Sequence, residues 1–390
     1  FLPLALQRAA GLPQGSADAA LAVARRVTAR WCAAAPEVVL SHPLHEGDRE
    51  LQPSPLIAAI AAMRPDIAAY PEFGAAIHAA RIMTAEAGDA APALTGSTVA
   101  GGGTTLLKDQ AACPFRAFAR HRLHAMVPAA PHSGLDAAER GTLVHRVLAQ
   151  AWMQLRDSAT LLAVDGERLD ALLVAAAEGA IERIRRDRPT VLSGRFAEIE
   201  KRRLVALARA WLEEDRRRGP FTVIAVEDKR SMAIGGLELR ARLDRVDETA
   251  DGRRIIIDYK TGNAAAGQML GERPEEPQLP LYLVTAEPEA VAVAFARVRA
   301  GSRAYVGLAR DEDLLPGVKA LADARLEHGE WTRLVAAWRD ELGRLAAQFA
   351  AGVATVDPKR QPQTCTYCDL GPFCRIRERS AGMADDGGAE

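Results

Sequence analysis

At Gly219-Pro220 the chain changes its hydrophobic period, and that switch constrains the fold more than any other feature. Upstream, apolar residues recur at helical spacing through about 137–157, 164–187 and 195–218. Downstream they alternate. Phe221–Val226 reads as a strand, and Leu237, Leu239, Ala241 and Leu243 alternate with Glu238, Arg240, Arg242 and Asp244, as in a strand buried on one face. Asp251-Gly252 makes a tight turn into a third strand, Arg254–Lys260. A helix holding Gln278 and Tyr282, strands at 291–298 and 304–308, and an amphipathic helix over about 327–350 follow. The expected class is α/β, a mixed sheet flanked by helices.

The third strand ends abnormally. Ile255-Ile256-Ile257 is a buried pattern, yet it runs straight into Asp258-Tyr259-Lys260-Thr261-Gly262. Asp258 and Lys260 leave the same face of the strand, and Asp244 on the preceding strand can lie beside Asp258 across the hairpin. Two carboxylates and the Tyr259 carbonyl between them make a hard oxygen site suited to Mg²⁺ or Mn²⁺. Such an ion acidifies water and neutralises charge on a phosphate oxygen, and an adjacent lysine can orient or deprotonate that water. This is equipment for phosphodiester hydrolysis, whereas Asp-x-Lys taken alone is more often an exposed cross-strand ion pair. The scarcity of lysine favours the first reading. Only Lys108, Lys201, Lys229, Lys260, Lys319 and Lys359 occur among 50 basic residues, and arginine cannot replace a compact, tunable ammonium. His145 has Leu143, Val144, Val147 and Leu148 around it and, taken alone, reads as a boundary histidine. Gln278 and Tyr282 share one helix face at i and i+4, which is also what a polar surface stripe gives.

Five cysteines, an odd number with no secretory signal, argue against a disulfide framework. Cys365, Cys368 and Cys374 cluster in a loop, and Cys113 can supply a fourth thiolate, a set that fits an iron–sulfur cluster or a structural zinc. Either would staple the beginning of a domain to its end. Cys32 reads as an ordinary buried thiol.

The length of 390 residues gives two or three folded units. With 48% hydrophobic and 26% charged residues, disordered and fibrous classes are excluded. No run of eighteen apolar residues exists to span a bilayer. A net charge of −1 leaves nucleic-acid binding to local arginines: Arg116, Arg120, 183–188 and 216–218. Residues 1 to about 90 read as helices around one strand, Val38–Ser41, and the glycine- and proline-bearing segment 89–105 reads as a linker and boundary. Residue 1 is Phe, so a longer parent is expected, and the tail 379–390 is expected to be disordered.

In order along the chain, Lys108–Arg116, Gly141–His145, Leu243-Asp244-Arg245, Ile257–Gly262, Gln278-x3-Tyr282 and Cys-x2-Cys-x5-Cys resemble the iron–sulfur-containing RecB/AddB-type branch of the PD-(D/E)XK nuclease superfamily. The resemblance implies a restriction-endonuclease-like nuclease domain over 104–378. Its metal ligands would be His145, Asp244, Asp258 and Tyr259 (through its carbonyl), and Lys260 would be the catalytic lysine. Gln278 and Tyr282 would contact DNA, and Cys113, Cys365, Cys368 and Cys374 would hold a [4Fe–4S] cluster. It further implies a cytoplasmic bacterial DNA exonuclease of double-strand-break repair, acting on ends or single strands, with a helicase–nuclease partner subunit. Residues 1–95 look like a partial helicase-like segment, matched only at Ser41-His42-Pro43 and Pro53–Leu56, and no phosphate-binding Gly-x4-Gly-Lys-Ser/Thr occurs. The rival readings are an inactive iron–sulfur DNA-binding module and a stand-alone CRISPR-associated exonuclease.

Overall fold

A computed structural model describes residues 2–60, 73–81, 90–95, 99–128, 132, 134–189, 191–321 and 330–376, so the expected disordered tail lies outside the described residues. The chain divides into two units, residues 1–86 and 87–390. In the first, Ser16 accepts a hydrogen bond from Ala19 N and so caps α2 (Ala17–Cys32), which follows α1 (Leu4–Ala9). Two-residue strands β1 (His45–Glu46) and β2 (Arg49–Glu50) pair antiparallel, and α3 (Phe73–Ala80) follows them. The strand expected at Val38–Ser41 does not form. Among the described residues no strand pairs with it, and Val39 is 83% exposed, so neither ladder bonds nor burial hold it extended. Cys32 is exposed rather than buried.

The second unit is built on a six-stranded mixed sheet. Its strands are β3 (Val99–Ala100), β4 (Phe221–Ile234), β5 (Leu237–Thr249), β6 (Arg254–Lys260), β7 (Ala290–Arg297) and β8 (Ala304–Ala309). β4 occupies one edge of β5 along nearly its whole length. The other edge is shared, with β3 pairing parallel at residues 238–239 and β6 antiparallel at 245–248. Between these, residues 240–244 of that edge have no strand partner among the described residues. The sheet parts there. β6 and β7 run parallel at the centre and are buried almost throughout, as continuous apolar runs in a parallel pair require.

Helices cover both faces. On one lie α6 (Ala137–Leu155), α7 (Ser158–Ala163), α8 (Gly166–Asp187) and α9 (Gly194–Arg216), packed on Ile255, Ile257 and Tyr259. On the other, α4 (Thr104–Ala112), α10 (Gln278–Thr285) and α11 (Trp331–Ala350) meet Leu243, Ile256 and Phe295. This is the expected architecture. α4 stops at Ala112 because Cys113 is extended (φ −168°), and Pro114 then opens α5 (Pro114–His121). Ala91 and Leu94, inside the segment read as a linker, donate to the carbonyls of Gly352 and Ala350.

Arg218, expected on a DNA-facing surface, is instead buried. Its guanidinium contacts Asp215 at 3.0 Å and Asp247 at 2.6 Å, and Arg245 joins the same two carboxylates at 3.0 and 2.6 Å. Tyr305 donates to Asp215, and Arg245 donates to the Tyr259 hydroxyl at 3.2 Å. Burial works to raise the Asp215 carboxyl, but Arg245 and Arg218 hold it below the ordinary carboxylate range. The native state therefore binds fewer protons here than the unfolded chain. The stability this group gives is complete above the ordinary Asp value and is lost as pH falls through the native one. Asp215→Asn leaves two buried cations with one carboxylate, so urea unfolding at neutral pH should show a loss of about 3 kcal/mol. The acid limb of the stability curve should also be shallower in the variant.

Candidate active site

The gap along β5 opens into a cavity of about 480 Å³ lined by His145, Asp244, Asp258, Lys260, Gln278 and Tyr282. Six of the residues singled out from the sequence therefore meet in one place. Gly103 closes one end. It adopts φ +54°, and a Cβ there would stand 2.7 Å from the Arg240 carbonyl oxygen, so only glycine lets this loop approach the strand.

Continuing the β5–β6 register one step beyond Arg245↔Ile257 places Asp244 opposite Asp258. Asp244 accepts from the Tyr259 amide at 2.9 Å and lies 3.1 Å from His145 Nδ1 on α6. In an extended strand the amide and carbonyl of one residue leave by the same edge, so the Tyr259 carbonyl is directed to the Asp244 side. The Tyr259 ring turns away, packing 5.8 Å from the His145 ring and 6.3 Å from that of Trp211.

Asp258 is 1% exposed, and its Oδ2 lies 2.7 Å from Lys260 Nζ. Lys260 donates to Gln278 Oε1 at 3.1 Å, Gln278 donates to the Tyr282 hydroxyl at 3.0 Å, and Tyr282 donates to the Arg242 carbonyl at 2.7 Å. The helix pair at i and i+4 is thus no surface stripe. Tyr282 is buried, and the pair ties Lys260 to the unpaired stretch of β5.

Burial, then the charge of Asp244, pushes the Asp258 carboxyl up to about 7 against the pull of Lys260. Burial also works to raise Asp244, but His145 and the Tyr259 amide hold it below its ordinary value. The His145 imidazole is disfavoured as a cation by burial, yet Asp244 and Asp258 outweigh that and raise it. Lys260 is likewise penalised by burial and raised by Asp258, so it stays an ammonium. Without a metal, the acidic pair is neutralised by protons and one lysine.

Sequence reasoning missed the cavity's other charged residues. Glu227 of β4 and Arg146, Arg240 and Arg242 also line it. Counting back across the Gly235-Gly236 hairpin from Ile234↔Leu237 puts Glu227 opposite Asp244. That count was the available signal. The arginine runs named from sequence are largely engaged elsewhere: Arg116 and Arg120 with Asp109, Arg120 also with Asp369, Arg217 with Glu214 and Arg188 with Glu139.

Cys113, Cys365, Cys368 and Cys374 line a second, small cavity of about 20 Å³. Among the described residues, no three of their sulfurs lie within 4.8 Å of one another. A tetrahedral zinc site would hold its sulfurs about 3.8 Å apart. Burial raises the Cys113 thiol, and burial followed by the neighbouring thiolates raises Cys365.

No curated protein matches the chain. A solved structure described as "Crystal structure of SSO0001" is 16% identical to it and covers 70% of this chain and 95% of its own, with a TM-score of 0.24, too loose a likeness for inference. The family model of the PD-(D/E)XK nuclease superfamily matches residues 105–375, which include every side chain of the acidic cavity named above from His145 to Tyr282, and the chain belongs to that superfamily.

Proposed function

We propose that the protein is a metal-dependent DNA exonuclease serving double-strand-break repair, working on ends or single strands beside a helicase–nuclease partner subunit. One observation carries the hydrolytic part of this reading: two buried carboxylates, an imidazole and an ammonium converge on a single open cavity with arginines at its rim. The repair context, the end preference and the helicase-like role of residues 1–95 rest on the motif resemblance.

The donor set fits a hard divalent cation. Asp258 Oδ1 is buried without a hydrogen-bond partner, a costly condition that a cation would relieve. Mg²⁺ or Mn²⁺ would be held by His145, Asp244, Asp258 and the Tyr259 carbonyl, and would supply an acidified water and charge neutralisation at the phosphate. Lys260, held between Asp258 and Gln278, donates hydrogen bonds to the attacking water or to a phosphate oxygen. As an ammonium it orients and stabilises rather than accepting the proton. Arg146, Arg240 and Arg242 bind backbone phosphates near the scissile bond. Gln278 and Tyr282 fix the lysine and the floor on which the strand lies.

We also propose that the four thiols hold a [4Fe–4S] cluster as a structural staple. Their convergence on the lining of one apolar cavity supports this. Cys113 belongs to the α4–α5 junction and the other three to the C-terminal loop, so the cluster would tie the ends of the nuclease domain together.

Asp258 holds its proton to higher pH than it would in the unfolded chain, so it withdraws stability as pH rises from the ordinary Asp range to about 7. Asp258→Asn should therefore raise the melting temperature of the metal-free protein at pH 8 by a few degrees, while abolishing Mg²⁺-dependent digestion of linear DNA. An unchanged or lower melting temperature would contradict the assignment. For the wild type, Mn²⁺ should bind more tightly at pH 8 than at pH 6, because the ion must displace that proton. Titration calorimetry reads this directly.

Lys260→Ala should slow cleavage at least ~100-fold with DNA binding kept, measured on end-labelled DNA. If iron is bound, the pure protein should be brown with broad absorption near ~400 nm, and Cys368→Ser should lose the colour and melt earlier. A colourless zinc protein would reject the cluster.

A further inference from the structure

We propose that a second cavity, on the other side of α6 from the acidic one, binds an unpaired nucleotide of the substrate strand. Phe196 stacks on the base and Arg140 meets its phosphate. The inference rests on the nuclease reading above and adds a second hold on the single strand.

This cavity has a volume of about 760 Å³ and lies between the start of α6, the end of α8 and the start of α9. Its lining is divided. Leu135, Val191 and the Phe196 ring supply an apolar part, and Arg140, Arg188 and His132 a basic one. None of the described residues that line it is acidic, in contrast to the cavity that holds Asp244 and Asp258. Without a carboxylate it has no hard ligand for a cation. A ring set beside guanidinium groups suits a flat apolar body that carries negative charge. A nucleotide is such a body, since every base has a face that stacks on an aromatic side chain and brings a phosphate with it.

The two arginines have different tasks. Arg188 is committed: it pairs with Glu139 and donates to the carbonyls of His132 at 3.5 Å and Gly134 at 3.4 Å, fastening the loop that forms one wall. That loop runs close to the ring, for a Cβ on Gly134 would stand 4.0 Å from Phe196 Cζ. Arg140 is exposed, and its guanidinium has no ion pair or hydrogen bond among the described residues. It is the cation left for a phosphate. The acids beside it in sequence are turned into the helix cap. Asp136 accepts from Glu139 N at 2.7 Å, and Glu139 accepts from Asp136 N at 2.9 Å.

α6 sets the distance between the two cavities. Arg140 and His145 are five residues apart, which is ~7.5 Å along a helix and about 140° around it. A strand crossing the exposed first turn, residues 136–138, covers about 15 Å between them. Ala138, Gly141 and Thr142 line the acidic cavity on that route. The second contact therefore serves only substrates with several unpaired nucleotides beyond the scissile bond.

The competing explanation is that Phe196 only packs on the core beneath it and Arg140 is a solvated surface charge. Fluorescence anisotropy of labelled oligodeoxythymidine, about 3 or about 12 nucleotides long, separates the two on the whole chain, with Ca²⁺ as a non-catalytic ion. Wild type should hold the longer strand more tightly. Phe196→Ala and Phe196→Leu should each weaken the longer strand about 10-fold and leave the shorter one unchanged. Arg140→Ala should weaken the longer strand as well, and lower the slope of log affinity against log salt by about 0.7. Leucine fills the apolar site without offering a ring face, so full affinity in Phe196→Leu would overturn the stacking. Wild type binding both lengths alike, or Arg140→Ala keeping the wild-type salt slope, would overturn the proposal and leave the nuclease reading in place. A wild type that binds neither strand and cuts no DNA would remove both.

Discussion

Two carboxylates, Asp244 and Asp258, stand side by side on adjacent strands, both almost wholly buried. Like charges so placed cannot both ionise without compensation. Everything around them answers that constraint. The Tyr259 amide and His145 attend to Asp244, Lys260 attends to Asp258, and a proton resides on Asp258 up to near neutrality. The arrangement trades stability for affinity toward a multivalent positive charge. The sheet makes room for it where β5 leaves one neighbour before meeting the next.

The site is held from behind as well. Tyr259 has its amide on Asp244 and its hydroxyl on Arg245, within the buried set of Asp215, Asp247, Arg218 and Tyr305. Arg245 also stacks 4.0 Å from the Trp152 ring, on the same helix as His145. One guanidinium thus fixes both the strand that carries Asp258 and the helix that carries His145. At the far end, Phe115 N donates to the Thr355 carbonyl, Lys359 N to the Ala112 carbonyl, and Arg273 bridges Ala111 and Ala112 to Asp357. The C-terminal segment is hooked to the α4–α5 junction by the polypeptide itself, whatever the thiols hold.

Much of this was legible in the residues. An isoleucine triplet ending in Asp-Tyr-Lys marks a buried strand that breaks surface at a charged site, and the hairpin before it places Asp244 without further information. These are local signals of short range. What escaped notice depended on partners distant in sequence. β4 continues through Glu227-Asp228-Lys229-Arg230, a polar stretch with no strand signature, because β5 pairs with it residue by residue. Arg218 reads as a surface charge because a single sequence does not reveal that Asp215 and Asp247 await it in the core. The reverse error occurred at Val38–Ser41, where an apolar run had no neighbour to make it a strand.

An unpaired length of strand is ordinarily an invitation to another chain, since its amides and carbonyls template further pairing. Residues 240–244 of β5 escape this because the bare edge is internal. Val99–Ala100 caps one end and β6 the other, Gly103 lies against the Arg240 carbonyl, and the Tyr282 hydroxyl occupies that of Arg242. The protein therefore carries an interruption in its sheet without a sticky border. A foreign β-strand finds no straight run to dock on.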